Sequence, residues 1–181
     1  MLEGCDALLI AKSPRDIAFL RRLSERVGYR SATAPGEINP KAGTTAINFF
    51  LLHFGVPDDE KRAILAAVRR SADDQVRFAP VVIVIDDCPF ETILQYVHWG
   101  FDDVVVLPEK VPLVRARLEG QLANHHTYFE TPGYFGPDRR RMDDEHRKDE
   151  RRREYGSRHT RLTFARDTRF GVRIISRTIA A

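Results

Sequence analysis

The chain has 181 residues, 43% of them hydrophobic, with 29 Lys or Arg against 26 Asp or Glu and a net charge of +3. That length suits one domain with an extension, or two small domains. No apolar run approaches the roughly 18 residues of a membrane-spanning helix. Met1-Leu2-Glu3-Gly4-Cys5-Asp6 lacks the basic-then-apolar order of a secretory signal. Cys5 and Cys88, the only cysteines, show no metal-ligand spacing. The expectation is a reduced, cytoplasmic protein without membrane insertion.

Short apolar runs alternate with helix-period segments through the first 127 residues. Ala7 to Ala11 reads as a buried strand. Ser13-Pro14-Arg15-Asp16 then starts a helix, with Ser13 as cap and Pro14 at the first helical position. Ile17, Leu20, Leu23 and Val27 form its apolar face, and Gly28 is its stop. Ser31–Ala34 is a second strand and Ala46–Phe54 a third. Asp58-Asp59-Glu60 places acids at the start of a helix, where the dipole favours them, and the helix continues through Ile64 and Val68. Val81–Ile85 is a β-branched run suited to a strand covered on both faces. Pro89–Trp99 is a helix ended by Gly100, Val104–Leu107 a fifth strand, and Val111–Ala123 a last helix with Val114, Leu118 and Leu122 on one face. The expected class is α/β: a flavodoxin-like five-stranded parallel sheet with helices on both faces, plus a charged C-terminal extension.

Four blocks in this frame resemble the receiver domain of response regulators. They are Ile10-Ala11-Lys12-Ser13-Pro14, Leu51-Leu52-His53-Phe54-Gly55, Pro80 through Asp86, and Gly100 through Pro108. The resemblance implies a phosphorylation corner at the strand ends, with two Mg²⁺-binding acids, an acceptor aspartate, a Thr or Ser and a Lys. Here those positions fall on Ala11 and Lys12, His53, Ile85 and Leu107. Mg²⁺ requires hard oxygen ligands, and none of these side chains supplies one. The reading is a pseudo-receiver, and His53 is read as structural. The family's docking surface, on the fourth helix, fifth strand and fifth helix, would draw on Gln95, His98, Trp99 and residues 111–121. Trp99 is read as packing there before it is read as an anchor.

Composition shifts after His126. Residues 128–181 hold 14 Lys or Arg and 9 Asp or Glu, which leaves the first 127 residues with 15 and 17. A tail with this charge suits a phosphate-bearing or acidic partner. Turn-rich Thr131–Pro137 leads into Asp138-Arg139-Arg140-Arg141, then a charged run ending in Arg151-Arg152-Arg153. Pairs such as Asp143/Arg147 support a helix weakly, but no apolar face exists to pack it. The expected organisation is 1–127 receiver-like, 128–158 arginine-rich and flexible, and 159–181 a β-hairpin or extended tail.

Arginine forks pair with phosphate and with the O6/N7 edge of guanine, a carboxylate accepts from guanine N–H groups, and tyrosine offers a stacking face. The segment is similar to the CheY-like cyclic di-GMP effectors with an arginine-rich stretch. That resemblance implies a ligand site at Tyr134, Asp138, Arg139, Arg140, Arg141, Arg147, Arg151, Arg152 and Arg153. It also implies docking on a signalling or motility protein, such as a flagellar motor or kinase component. The alternative is a scaffold whose basic tail meets RNA, acidic lipid or an acidic protein; the interleaved acids rank duplex DNA lower. No nucleophile set, phosphate loop or metal cluster is evident, so neither an enzyme nor a resident cofactor is expected.

Overall fold

The computed structural model describes residues 1–37, 47–138 and 159–180. Its first part follows from the apolar runs. β1 (Asp6–Ile10), β2 (Ser31–Thr33), β3 (Asn48–His53), β4 (Val81–Asp86) and β5 (Asp103–Leu107) pair in parallel in the order β2-β1-β3-β4-β5. The connecting helices are α1 (Pro14–Val27), α2 (Asp58–Arg69), a four-residue α3 (Asp74–Arg77), α4 (Phe90–Trp99) and α5 (Val111–Ala123). β4 is buried from Val81 through Ile85 because helices cover both faces. On one face, Leu20 and Val27 of α1 and Val114 and Leu118 of α5 pack on Leu9, Phe49 and Val82. On the other, Leu65 and Val68 of α2 and Tyr96 and Val97 of α4 pack on Leu52, Ile83 and Val104.

The helix ends follow their local sequence. Ser13 accepts the Asp16 N–H at 3.1 Å, capping α1 with Pro14 in its first turn. Gly28 ends α1 at φ 92°, in the left-handed region that glycine enters without a Cβ penalty. Among the described residues, no helix is long and apolar enough to cross a membrane.

The second part is an antiparallel sheet ordered β7-β6-β8-β9, formed by β6 (His126–Thr131), β7 (Tyr134–Pro137), β8 (His159–Asp167) and β9 (Gly171–Ala180). Residues 128–137, expected as the start of a flexible segment, are instead paired strands. Pro132 and Gly133 make the turn between them. The physical reason is packing. Tyr128, Leu162 and Phe164 bury against Phe78, with Phe135 and Val172 beside them, so the strands gain a core that neither hairpin has alone.

A buried charge cluster fixes where this sheet docks. Arg166 of β8 is fully buried and reaches into the first part of the fold. Its Nη2 donates to Asp102 Oδ1 at 2.7 Å and to the Tyr128 hydroxyl at 2.9 Å. Its Nε donates to the Phe78 carbonyl at 2.8 Å, and its Nη1 to Gln121 Oε1 at 2.9 Å. The other Asp102 oxygen accepts from Arg69 Nη2 at 2.5 Å and from the Val81 N–H at 2.7 Å. Tyr128 donates its hydroxyl proton to Asp102 Oδ1. Burial pushes the Asp102 carboxyl up, but Arg69, Arg166, the Tyr128 hydroxyl and the Val81 N–H outweigh burial and hold it below the usual carboxylate range.

Removing one partner of such a cluster leaves an uncompensated buried charge. Arg166→Met is expected to cost about 3–5 kcal/mol, read as a lower denaturant midpoint. A loss below about 1 kcal/mol would show that the cluster does not hold the sheets together. The depressed carboxyl also sets a pH dependence. Its contribution is present above the unfolded value of about 3.9 and is lost as pH falls through the lower folded value. The native protein should therefore lose stability below about pH 4, and Asp102→Asn should flatten that part of the profile.

Candidate functional site

In a doubly wound sheet, ligands bind outside the carboxyl ends of the strands. In this protein that corner is formed by Lys12, His53, Ile85 and Leu107. Lys12 follows β1 and pairs with Glu60 at 2.6 Å. His53 ends β3 and is buried, 5.7 Å edge-on from Phe19 and 4.5 Å from Phe54. Its Nδ1 accepts the Gly55 N–H at 3.2 Å, with Asp16 Oδ2 3.7 Å away. Ile85 is buried in β4, and Leu107 of β5 packs against the core. The residues do not fit Mg²⁺: Ala11 has no donor, Lys12 brings a cation, and Glu60 is taken by Lys12. Among the described residues, no group of three His, Cys, Asp or Glu is placed to hold a metal.

A different site lies where the second sheet meets the first part. The last turns of α2, the end of α4 and the β6–β7 turn enclose an open groove of about 810 Å³. Arg62 and Arg70 are exposed along α2, and Arg62 lies over the Trp99 ring, 5.1 Å from its centroid. Arg77, at the end of α3, stacks on Phe135 at 4.0 Å and pairs with Glu130 at 2.8 Å. Glu130 also meets Arg177 of β9 at 3.3 Å. Among the described residues it is the only acid that lines the groove, whose lining includes Arg62, Arg69, Arg70 and Arg77.

Local backbone chemistry brings the aromatic side chains here. α4 stops at Gly100, whose φ of 105° is left-handed. A Cβ at Gly100 would meet the Tyr134 ring at 3.1 Å, so glycine also makes room for the hairpin. Tyr134 donates its hydroxyl proton to the Pro137 carbonyl at 2.6 Å, which fixes the ring against β7. Trp99 is half-buried and stands edge-on to Tyr96 at 5.3 Å. It packs and lines the groove at once.

Of the sequence-predicted site residues, Tyr134 lines the groove, and Asp138 directly follows β7. Arg139, Arg140, Arg141, Arg147, Arg151, Arg152 and Arg153 lie outside the described residues. Arg62, Arg70 and Arg77 are not among the residues that the sequence points to. Arg62 and Arg70 are eight residues apart on one helix, a visible signal. Nothing in the sequence announced that the β6–β7 hairpin would face them.

Parallel strands ordered β2-β1-β3-β4-β5, with helices on both faces, give the flavodoxin-like topology that receivers share. The fold is receiver-like. No family model matches the chain, and no curated protein matches it. Among solved structures, it is similar to ShkA Rec1 in complex with c-di-GMP, at 18% identity and a TM-score of 0.44, over 65% of this chain and 92% of that one. It is also similar to the response regulator RPA3017 in red light signaling of R. palustris, at 17% identity and a TM-score of 0.44, over 64% and 89%.

The side chains at this corner generate a direct expectation. Incubation with acetyl phosphate and Mg²⁺ should leave the intact mass of the protein unchanged. His53→Asp alone should leave it unchanged too, because Lys12 still repels the metal. A phosphorylated species in either sample would contradict this account of the corner.

Proposed function

We propose that this chain is a non-enzymatic signalling module that works independently of phosphorylation. It binds cyclic di-GMP through the arginine-rich extension and docks on a partner protein such as a flagellar motor or kinase component. The observation that carries the reading is the course of β7. The strand leaves an arginine and aromatic groove at Tyr134 and runs directly into Asp138-Arg139-Arg140-Arg141.

The chemistry matches such a ligand term by term. Guanidinium forks take the phosphodiesters bidentately, and a single fork also matches the O6/N7 edge of guanine. Asp138 is the acceptor for guanine N1–H and the exocyclic amine. Tyr134 supplies a stacking face. The ligand-bound segment then presents the signal to the partner.

Calorimetric titration with cyclic di-GMP tests this reading. A saturable heat with a Kd of about 1–10 μM is expected. The Arg139→Ala/Arg140→Ala variant should bind about tenfold or more weakly, since each lost charge-assisted bond is worth about 1.5–3 kcal/mol. No heat, or equal binding by the variant, would sink the proposal. The net charge of +5 over residues 128–181 favours a second reading, a scaffold for RNA, acidic lipid or an acidic protein. That reading predicts affinity that falls steeply with salt and shows no preference for guanine.

A further inference from the structure

β9 is a long, exposed edge. It runs for ten residues, and among the described residues it pairs with β8 on one side and with no strand on the other. Every residue from Arg173 to Ile179 is exposed. Natural edge strands are usually short, or are blunted by lysine, proline or a bulge. β9 holds no lysine, proline or acid, and its one irregularity is at Ile175, between the residues opposite Phe164 and Thr163. Its open side presents backbone N–H and C=O groups to an incoming strand. The side chains continue the core past its cover. Directly opposite residues of two strands share a face, and Ile174, Arg177 and Ile179 stand opposite Phe164, Leu162 and Thr160. Phe164 and Leu162 are buried with Phe78, whereas the β9 row beside them is exposed, Ile179 at 72%.

Charge decides what covers this edge. β9 carries Arg173 and Arg177 without an acid, and exposed Arg161 of β8 stands opposite Thr178. Arg177 meets Glu130 at 3.3 Å, but its side chain is 62% exposed, and such surface pairs hold weakly. A second copy of β9 would bring both arginines of each strand into one short ladder, where like charges repel. A strand that carries carboxylates turns the same charge into attraction. We infer that the open edge of β9 docks an extended segment of a partner protein with the one-face pattern apolar-x-acid-x-apolar. The spacing is that of Thr160, Leu162 and Phe164, which face the same β9 residues from the other side. The two apolar side chains meet Ile174 and Ile179, the carboxylate meets Arg177, and the segment becomes the fifth strand of the sheet. The inference rests on the proposed function only in taking the chain to dock on a protein; cyclic di-GMP has no part in it.

The test uses the full chain and two fluorescein-labelled peptides, Ile-Thr-Glu-Thr-Ile-Thr-Glu and the same sequence with lysine for glutamate. Anisotropy reads affinity, and hydrogen exchange reads the place of binding. The glutamate peptide is expected to bind saturably, about tenfold or more tighter than the lysine peptide, and to slow exchange along β9. Arg173→Glu/Arg177→Glu should reverse that preference; both side chains are exposed, and circular dichroism checks the fold. Ile174→Ser/Ile179→Ser should weaken the glutamate peptide about tenfold without reversing the preference. No saturation by about 1 mM, equal affinity for the two peptides, or protection elsewhere than β9 overturns the inference. A sedimenting mass twice that of one chain, returned to one chain by Ile174→Ser/Ile179→Ser, assigns the edge to a second copy and overturns it too. Cyclic di-GMP that gives heat while neither peptide binds overturns the edge and leaves the ligand reading standing. The glutamate peptide bound at β9 while cyclic di-GMP gives no heat supports the edge and removes the ligand reading.

Discussion

The Asp102 carboxylate, shared between Arg69 and Arg166, is the contact on which the arrangement of this protein depends. Asp102 stands just before β5, Arg69 ends α2, and Arg166 comes from β8 of the second sheet. All three side chains are almost completely withdrawn from water. Burying ions is costly, and well-packed apolar side chains can give equal stability. What the cluster supplies is direction. Guanidinium forks accept few geometries, and Arg166 is also bound to the Phe78 carbonyl and Gln121. The second sheet is thereby fixed in one position on the receiver-like body.

That position has a geometric consequence. With β8 anchored, β6 and β7 run alongside it, and their turn hangs beside the ends of α2 and α4. Arg69 belongs to the buried cluster and to the groove, so the joint between the two parts also forms one wall of the groove. Meanwhile the corner where a receiver handles phosphate is filled by Lys12–Glu60 and by His53 among aromatic rings. Under the proposed function the input enters through the arginine-rich extension that follows β7 and not at the strand ends. The receiver-like body then presents a signal that it does not itself generate.

Much of the first part was legible because its signals are local. The β-branched run at Val81–Ile85, the Ser13 cap and the Gly28 and Gly100 stops each depend on neighbours in sequence. The lost acids at Ala11 and Lys12 were legible for the same reason. The second sheet was legible only in its later half, where Leu162 and Phe164 alternate with polar residues. Its earlier half was hidden because Thr131-Pro132-Gly133 is dense in turn residues, and Tyr128 is buried only once Phe78 and Phe164 surround it. The groove was hidden further still. Asp102 and Arg166 are separated by 64 positions, and no spacing rule links a buried aspartate to an arginine that far away. Arg62, Arg70 and Arg77 read as ordinary solvated charges until the hairpin is set against them.

Hydrogen exchange of the full chain, with and without cyclic di-GMP, tests this account most directly. The account predicts slower exchange in two stretches far apart in sequence, the last turn of α2 and the β6–β7 turn, together with the arginine-rich segment between β7 and β8. Protection confined to the strand ends around His53, or no protection anywhere, would contradict it.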